Sequence, residues 1–400
     1  MKKILAIGAD WEQYALLEEI KKQGHEIIAT HPYMPAEGFA LASHFYVKEA
    51  TDIGAHLRIA QTHNIDAVIT DNCDYSFYTA AIVASKLQLP FASIESAILS
   101  NDKFAQRETC AKAEIKQPHY KKVRTLQELE DAATEIGFPV ILKPVDSRGT
   151  FGVTIIHEVT QIKSAFFEAA QYSPSHTLIV EQFIKGVLVT VDGFCLSNGH
   201  KALAVASRKF EDGVKPVTKE IIYPSQFSLE LNTKLLENHH AVVNALGYSY
   251  GHTHGEYIVN EQGEISLVEC TNRGGGVYTS SVIVPLLTEL NLNKNLLYQS
   301  LGIRTEDVDD KGINFMKKSI MLTFLDFEVG KVVKSININE MKNKDFTIRF
   351  RSIYGENDMV ESVENCASRH SMLVLKGENV AQTLSNFREF KQQLTIEYYK

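Results

Sequence analysis

The stretch PVILKPVDSRGTFGVTII, residues 139–156, decides the fold assignment. An apolar strand ends near Lys143, and a second apolar strand begins near Val153. The loop between them carries glycines and hydroxyl residues, namely Ser147, Gly149, Thr150 and Gly152. Glycines let backbone amides approach a ligand closely, and hydroxyls add donors beside the lysine charge. The stretch predicts a phosphate-binding loop, and the alternative is a plain hairpin with a solvated lysine.

A second informative stretch is GEYIVNEQGEISLVECTNRGGG, residues 255–276. Counting back from the turn at residues 261–263 places Glu256 and Glu269 on the same face of a hairpin. Two neighbouring carboxylates repel each other, and Mg²⁺ between them removes the conflict. Arg273, before three glycines, could clamp a phosphoryl oxygen. The alternative is an exposed acidic hairpin, but Glu269 interrupts an apolar strand, where such a hairpin would alternate more regularly.

Two weaker signals accompany these stretches. In TLIVEQFIKG, residues 177–186, the backbone at the end of an apolar strand could contact the edge of a purine, although a simple strand end is the favoured interpretation of this stretch alone. His252 and His254 share a strand face just before Glu256, but no third zinc ligand is evident. The position of His254, two residues before Glu256, predicts a role beside the substrate. The alternative is a strand histidine whose hydrogen bonds are satisfied by a neighbouring residue.

Composition excludes several classes of protein. The chain has 400 residues, 44% of them hydrophobic and 22% charged, with 41 Lys and Arg against 49 Asp and Glu. These values are typical of globular proteins, and the net charge of -8 argues against nucleic-acid or membrane partners. The five cysteines are widely spaced, which favours a reducing compartment. The apolar run at the N-terminus ends at Asp10, too soon for a secretory signal, so we expect a cytoplasmic protein.

Short apolar runs alternate with helical periodicity over the first 100 residues, which predicts a parallel sheet with helices on both faces. The strands are predicted at 3–9, 25–30, 65–70 and 89–94, and the helices at 11–23 and 76–87. Only Gly8 of a dinucleotide fingerprint is present, so an NAD site is not favoured. Further strands are predicted at 139–145, 153–156, 177–183, 187–196, 201–206, 255–260, 264–269, 319–325, 346–353 and 371–376. Further helices are predicted at 160–171, 229–246, 284–301 and 378–391, with one more containing Lys103. The segment 207–216 is predicted as a charged loop, in which Arg208 or Lys209 could contact a substrate carboxylate.

Together, in this order and spacing, these stretches resemble the ATP-grasp superfamily over about residues 1–300. The resemblance implies a mixed α/β and α+β fold. A parallel-sheet domain would span 1–98, a two-lobed ATP-grasp module 99–302 with a mobile lid at about 112–185, and a small α+β region 303–400 would complete the core.

The same resemblance implies roles for individual residues. Lys103, in Asn101-Asp102-Lys103, and Lys143 would contact ATP, and neither has an evident acidic partner nearby in the sequence. Glu256 and Glu269 would bind Mg²⁺, with Mn²⁺ able to replace it, and Arg273 would steady the transferred phosphoryl group. The loop over the phosphates would comprise Ser147, Arg148, Gly149, Thr150 and Gly152. The hinge that binds adenine would comprise Glu181, Gln182, Phe183 and Ile184.

Three departures from the family pattern concern the nucleotide site. Leu188 stands where the family has a glutamate that holds the ribose, and Asp192 could replace it. Phe151 occupies a basic position of the loop, and Arg148 could supply the charge. The asparagine that usually follows the second metal carboxylate is displaced by one, since Thr271 precedes Asn272.

The arginine and three glycines at 273–276 resemble carboxylate–amine ligases, especially the L-amino-acid ligase branch. The implied reaction joins a small carboxylate and an amine through an acyl phosphate, releasing ADP and phosphate. The alternatives are a purine-pathway ligase or carboxylase subunit, and a degenerate nucleotide-binding protein without turnover. A homodimer is one assembly that the resemblance allows.

Overall fold

The computed structural model describes residues 1–147, 149–210, 217–305 and 315–399. Its first sheet is parallel and has the strand order β3-β2-β1-β4. The strands are β1 (Lys3–Ile7), β2 (Glu26–His31), β3 (His44–Val47) and β4 (Ala67–Ile69), and the helices are α1 (Tyr14–Lys22), α2 (Ile53–His63) and α3 (Asp74–Leu87). Ile4 packs in a core with α1, while Leu5 packs in another with α2 and α3. Helices therefore cover both faces of this sheet, as predicted.

The strand predicted at 89–94 is wrong. The segment before Ile94 is irregular, and α4 (Ile94–Asn101) begins there with Ser93 as its cap. Pro90 has no backbone N–H to donate to a sheet, which explains why this apolar run does not pair. The sheet instead gains β3, whose side chains are mostly exposed and give no apolar alternation.

A four-stranded antiparallel sheet follows α5 (Lys103–Lys112), and we call it the lid sheet. Its strands are β5 (Tyr120–Val123), β6 (Val140–Pro144), β7 (Thr154–Ile156) and β8 (Leu178–Gln182), in the order β5-β8-β6-β7. The helices α6 (Leu126–Ile136) and α7 (Ile162–Ala170) cover one face. Val140 and Leu142 point into that core, so Ile141 and Lys143 point to the opposite face.

The largest sheet has eight strands in the order β13-β12-β9-β10-β11-β14-β17-β16. The strands are β9 (Val187–Leu196), β10 (Gly199–Phe210), β11 (Thr218–Tyr223), β12 (Gly251–Val259), β13 (Ile265–Thr271), β14 (Ser319–Thr323), β16 (Thr347–Ser352) and β17 (Ser371–Gly377). Val189 and Val191 pack with α8 (Leu229–Ala245) on one face. The opposite face packs against the first domain through Phe194 and is open towards the lid sheet at Leu188. The predicted fold class is confirmed.

Two further predictions need correction. β10 continues to Phe210, so Arg208 and Lys209 lie on a strand rather than in a loop, and residues 211–216 lie outside the described part. The single helix predicted at 284–301 is interrupted, because Glu289 adopts a left-handed conformation between α9 (Val284–Thr288) and α10 (Leu292–Ser300).

The remaining elements lie mostly near the C-terminus. β15 (Val333–Asn337) pairs with β18 (Thr395–Tyr398), and α11 (Val380–Gln393) packs against β17. Short 3₁₀ turns occur at Glu37–Leu41, Val159–Gln161 and Asn339–Asn343, and a π-helical turn, Thr279–Ile283, leads into α9. None of the described helices has the length and apolar character that crossing a membrane requires.

Candidate active site

A cleft with a volume of about 450 Å³ lies between the lid sheet and the eight-stranded sheet. At one end its walls are apolar: Ile141, Val153 and Ile155 come from the lid side, and Leu188, Ile258 and Leu267 from the large sheet. At the other end charged side chains line it, namely Lys103, Arg107, Lys143, Glu181, Arg208, Glu256 and Glu269. A flat apolar group with a polyanionic tail would match this division.

Lys143 and Arg107 share one carboxylate in the wall of the cleft. Lys143 Nζ donates to Glu181 Oε2 at 2.6 Å, and Arg107 Nε donates to Glu181 Oε1 at 2.7 Å. Burial raises the pKa of Glu181, but the two cations outweigh that effect and lower it to about 2. Lys143 has no acidic partner nearby in the sequence, and its partner arrives from the neighbouring strand β8, 38 residues further along the chain.

Lys103 is positioned by the first turn of α5. Asp102 caps this helix by accepting from the Ala105 amide, which fixes the direction in which Lys103 leaves the backbone. Lys103 Nζ donates to the Ser147 carbonyl at 2.8 Å and lies 3.3 Å from Glu269 Oε2. No local pattern predicted this acidic partner. Lys103 thus links the glycine loop to the acidic hairpin.

The predicted loop lies beside both lysines. Ser147 and Gly149 line a small cavity that adjoins the cleft, and Thr150 lines the cleft itself. Gly152 has φ +71°, and a Cβ there would lie 2.9 Å from Pro144, so a larger residue would be strained. Arg148, the fifth residue predicted for this loop, lies outside the described residues.

The predicted hinge also lines the cleft. Gln182, Phe183 and Ile184 border it, whereas the side chain of Glu181 is committed to Arg107 and Lys143. The amide of Gln182 donates to the His119 carbonyl, and that of Phe183 donates to the Pro139 carbonyl. A contact to an adenine edge therefore falls to the backbone of Ile184 and to the hinge carbonyls.

The acidic pair lies on the predicted hairpin. Glu256 on β12 and Glu269 on β13 are direct cross-strand partners, and both line the cleft. Arg208 NH1 lies 2.7 Å from Glu256, and Lys103 lies 3.3 Å from Glu269. Burial raises the pKa of Glu269, but Lys103, Arg273 and Lys143 together lower it further than burial raises it. Glu269 is thus held ionised beside Glu256, and two neighbouring carboxylates suit a divalent cation.

The structure distinguishes between the two residues that follow Glu269. Thr271 lines the small cavity beside Glu269, whereas Asn272 is fully buried and its amide donates to the carbonyls of Tyr250 and His252. The side chain of Asn272 thus points away from the acidic pair. Among the described residues no group of three or more His, Cys, Asp or Glu could hold a metal ion. A cation here would take further ligands from its substrate or from water.

Arg273 forms a bidentate pair with a residue of the first domain. Its Nε and NH2 donate to the two carboxylate oxygens of Asp74 at 2.8 and 3.1 Å, and NH1 donates to the Gly274 carbonyl at 2.8 Å. Asp74 starts α3, and both residues line the small cavity with Ser147 and Thr271. The guanidinium is therefore fixed beside the acidic pair.

His254 lies close to Glu256 but is buried and does not line the cleft. Arg208 NH2 lies 3.3 Å from His254 Nε2, and because arginine only donates, Nε2 must accept. His254 Nδ1 then carries the proton and donates to Asp192 Oδ1 at 2.7 Å. In this structure His254 contacts Arg208 rather than the cleft, and a role for His254 beside the substrate stays a prediction.

Asp192, the predicted ribose contact, is hydrogen-bonded within the protein. Both of its carboxylate oxygens are engaged, by His254 and by Tyr223 Oη at 2.5 Å, and it does not line the cleft. Leu188 does line the cleft, four positions earlier on β9, which corresponds to about 13 Å along a strand. Asp192 therefore lies well along the sheet from Leu188, and a ribose contact by Asp192 stays a prediction.

Sequence reasoning missed Arg107 and Asp74. Arg107 sits on α5 one turn after Lys103, and Asp74 starts α3, so each looked like an ordinary helix residue. Their partners, Glu181 and Arg273, are 74 and 199 residues away. Only the pairing of distant segments identifies them.

These features define a cleft between two antiparallel sheets whose lining suits a nucleotide. Residues 136–281 match the family model for the ATP-grasp domain. Over this segment the predicted resemblance to the ATP-grasp superfamily is confirmed.

The chain is 29% identical over 184 residues to formate-dependent phosphoribosylglycinamide formyltransferase of Wolinella succinogenes, covering 46% of this chain and 48% of that protein. It is 24% identical over 242 residues to alanine–anticapsin ligase of Bacillus subtilis, covering 55% of this chain and 51% of that protein. The chain thus spans about half the length of these curated relatives. The structure of L-amino acid ligase from Bacillus licheniformis superposes with a TM-score of 0.86 at 17% identity, covering 100% of this chain and 99% of that one, which is a likeness of fold.

Proposed function

We propose that this protein is an ATP-dependent carboxylate–amine ligase, which forms an amide or peptide bond through an acyl phosphate. The observation that carries the proposal is the arrangement at the charged end of the cleft. Lys103, Arg273 and the pair Glu256 and Glu269 converge there, within contact of the glycine loop. The similarity to alanine–anticapsin ligase supports the same reaction class.

In this proposal ATP lies along the cleft. The apolar walls at Ile141 and Leu267 take the adenine ring, and the backbone of Ile184 contacts its polar edge. The phosphates extend towards Lys143 and Lys103, both of which are fixed by carboxylates before ATP arrives. Prior fixation matters, because charged groups that need not reorganise stabilise a transition state best.

Glu256 and Glu269 fit a magnesium ion. Their pairing across β12 and β13 gives two adjacent hard oxygen donors, and Mg²⁺ is usually held by one or two carboxylates together with substrate phosphates. Such an ion would bridge the nucleotide phosphates and offset the charge that develops on them. Thr271, rather than Asn272, is the nearest additional polar group on the same side.

The reaction needs no side-chain nucleophile. A carboxylate oxygen of the first substrate attacks the terminal phosphorus of ATP, and the bond to ADP breaks. The amine nitrogen of the second substrate then attacks the acyl carbon, phosphate leaves with the bonding electron pair, and the nitrogen loses a proton. Arg273, held by Asp74, is placed to contact the phosphoryl oxygens during both steps. The lid sheet excludes water, which would hydrolyse the acyl phosphate.

We further propose an amino-acid ligase with small-molecule substrates, acting in the cytoplasm. The run Arg273 to Gly276 and the structural likeness to L-amino acid ligase support the substrate class. The cysteines Cys73, Cys110, Cys195, Cys270 and Cys366 are all free, in keeping with a reducing compartment. A homodimer stays a prediction.

A purine-pathway ligase is the second candidate, and the similarity to phosphoribosylglycinamide formyltransferase favours it. The two candidates share the ATP site and differ in the second substrate. A screen of carboxylate and amine pairs for release of phosphate from MgATP separates them. Release that requires both an amino acid and an amine supports the main proposal, and release that requires a phosphoribosyl amine supports the second.

A further inference from the structure

Two arginines from distant parts of the chain lie beside the cleft. Arg208 is on β10, and Arg369 stands just before β17. Arg369 NH1 reaches the carbonyl of Thr218 at 3.5 Å, and Thr218 lines the cleft together with Arg208 and Cys366. Burial lowers the pKa of Arg369, and the charge of Arg208 lowers it further, so the two guanidinium groups affect each other.

Both arginines have unused donors. The Nε atoms of Arg208 and Arg369 are buried and have no hydrogen-bond partner within residues 1–147, 149–210, 217–305 and 315–399. No carboxylate in those ranges forms an ion pair with Arg369, whose guanidinium lies 3.6 Å from the ring centroid of Phe324. Buried donors without partners are costly and rare in folded proteins, so this pair needs an explanation.

A carboxylate whose charge acts on Arg369 already accepts a hydrogen bond. Glu12 influences the pKa of Arg369, but Glu12 Oε1 accepts from the Val277 amide at 2.7 Å. NH1 of Arg208 pairs with Glu256, and NH2 donates to His254. The Nε of Arg208 thus remains available to donate to a ligand. A planar guanidinium can donate two parallel hydrogen bonds to two oxygens of one carboxylate or phosphate group.

We infer that Arg369, together with Arg208, forms a binding site for an oxyanion of the second substrate at the edge of the cleft. The group is either a carboxylate or a phosphate, and both present the same chemistry to the two arginines. The inference deepens the proposed function and rests on it, since the cleft between the sheets is taken as the ATP site. It also assigns the C-terminal region a direct role in substrate binding.

Calorimetric titrations of inorganic phosphate and of acetate, each into the full chain saturated with MgADP, test this site. We expect at least one anion to bind the wild type, and to bind Arg369→Met at least tenfold more weakly. Arg388→Met, on the exposed side of α11, is the matched control and should bind like the wild type. Preference for phosphate would indicate a phosphorylated second substrate, and preference for acetate a free carboxylate.

The proposal is overturned if neither anion binds the wild type, or if Arg369→Met binds as tightly as the wild type. MgADP is first titrated into the protein without either anion, so that failure of MgADP binding counts against the proposed function alone. Methionine fills much of the same space, and we expect no loss of melting temperature, because a buried cation without an ion-pair partner is removed. If Arg369→Met does not fold, Arg369→Lys is tested instead. Lysine keeps the positive charge but cannot donate two parallel hydrogen bonds to one anion. Anion affinity equal to that of the wild type in this variant overturns the proposal.

Discussion

Lys143 shows how a single residue combines binding with stability. It lies in the wall of the cleft, yet it also neutralises the buried carboxylate of Glu181. Replacing it should therefore weaken nucleotide binding and also leave Glu181 with Arg107 as its one remaining cation. A variant that only bound ATP less well would show that the pair with Glu181 is energetically unimportant.

For Lys143→Met we expect both a lower melting temperature and weaker binding of a non-hydrolysable ATP analogue. A charge-assisted hydrogen bond contributes about 1.5–3 kcal/mol, so affinity should fall by about tenfold to a hundredfold. Thermal melting and calorimetry measure the two effects. Lys121→Met, which breaks an exposed pair with Glu135 on the lid, is the control and should change neither.

Leu188 is expected to affect how strongly the protein discriminates between ribose and 2′-deoxyribose nucleotides. An apolar side chain cannot accept a hydrogen bond from a ribose hydroxyl, and Asp192 lies outside the cleft. We expect the affinities for ADP and 2′-deoxy-ADP to differ by no more than about threefold. Loss of one typical hydrogen bond, at about 1 kcal/mol, would lower the affinity by about fivefold. Calorimetry on the wild type and on Leu188→Glu measures this. A penalty of tenfold or more for 2′-deoxy-ADP in the wild type would mean that another residue holds the ribose.

Asp71 should make the folded protein sensitive to pH. It is buried behind Gly274, and neither carboxylate oxygen has a hydrogen-bond partner among the described residues. Burial raises its pKa from 3.8 to about 7. The folded state thus binds a proton that the unfolded state has lost between about pH 4 and pH 7, so the contribution of Asp71 to stability falls as pH rises through this window.

Asp71→Asn should remove this loss. We expect the variant to melt at a higher temperature than the wild type at pH 8, with a smaller difference at pH 5. The gain should not exceed about 4 kcal/mol, the equivalent of three pKa units. Melting curves over the pH range measure it, and equal differences at both pH values would contradict the assignment.

At the scale of elements, the hairpin of β12 and β13 carries the metal proposal. Each carboxylate has its own cation, Arg208 for Glu256 and Lys103 for Glu269, so the two do not simply repel each other. Removing one of the two carboxylates is therefore not expected to stabilise the protein. Removing either carboxylate instead leaves a cation without its partner.

Glu256→Gln and Glu269→Gln should each lower the affinity for Mg²⁺ in the presence of ADP by at least tenfold and lower the melting temperature slightly. Titration of Mn²⁺, followed by its paramagnetic effect on water relaxation, measures the first effect. Glu264→Gln, on the same hairpin but paired with Lys116 at the exposed turn, is the matched control. Equal metal affinity in all three variants would show that the hairpin holds no cation.

The strands that bear the site were predictable from their local patterns. The runs at 139–145 and 264–269 alternate or are continuously apolar, and the turn between Glu256 and Glu269 fixed their pairing. Strands β3 and β5 were missed because their side chains are mostly exposed and carry no apolar period. Contacts between distant segments, such as Arg273 with Asp74, have no local signal at all.

At the scale of the whole molecule, three parts of the chain meet at the site. Asp74 comes from the first domain, Lys143 from the lid sheet, and Arg369 from the C-terminal region. The sequence indicated the ATP-binding half of this arrangement, because its glycines and carboxylates lie in short motifs. For the second substrate it indicated Arg208 but not Arg369, because Arg369 reaches the cleft only through the pairing of separate elements.

The central claim is that the carboxylate substrate is activated by phosphoryl transfer. The most direct measurement incubates the protein with MgATP, an amine and carboxylate substrates labelled with ¹⁸O in the carboxyl group, and analyses the released phosphate by mass spectrometry. We predict that each phosphate released in an amide-forming turnover carries one ¹⁸O atom from the carboxylate, because the acyl–oxygen bond breaks when the amine attacks. Amide formation with unlabelled phosphate would contradict the acyl-phosphate mechanism.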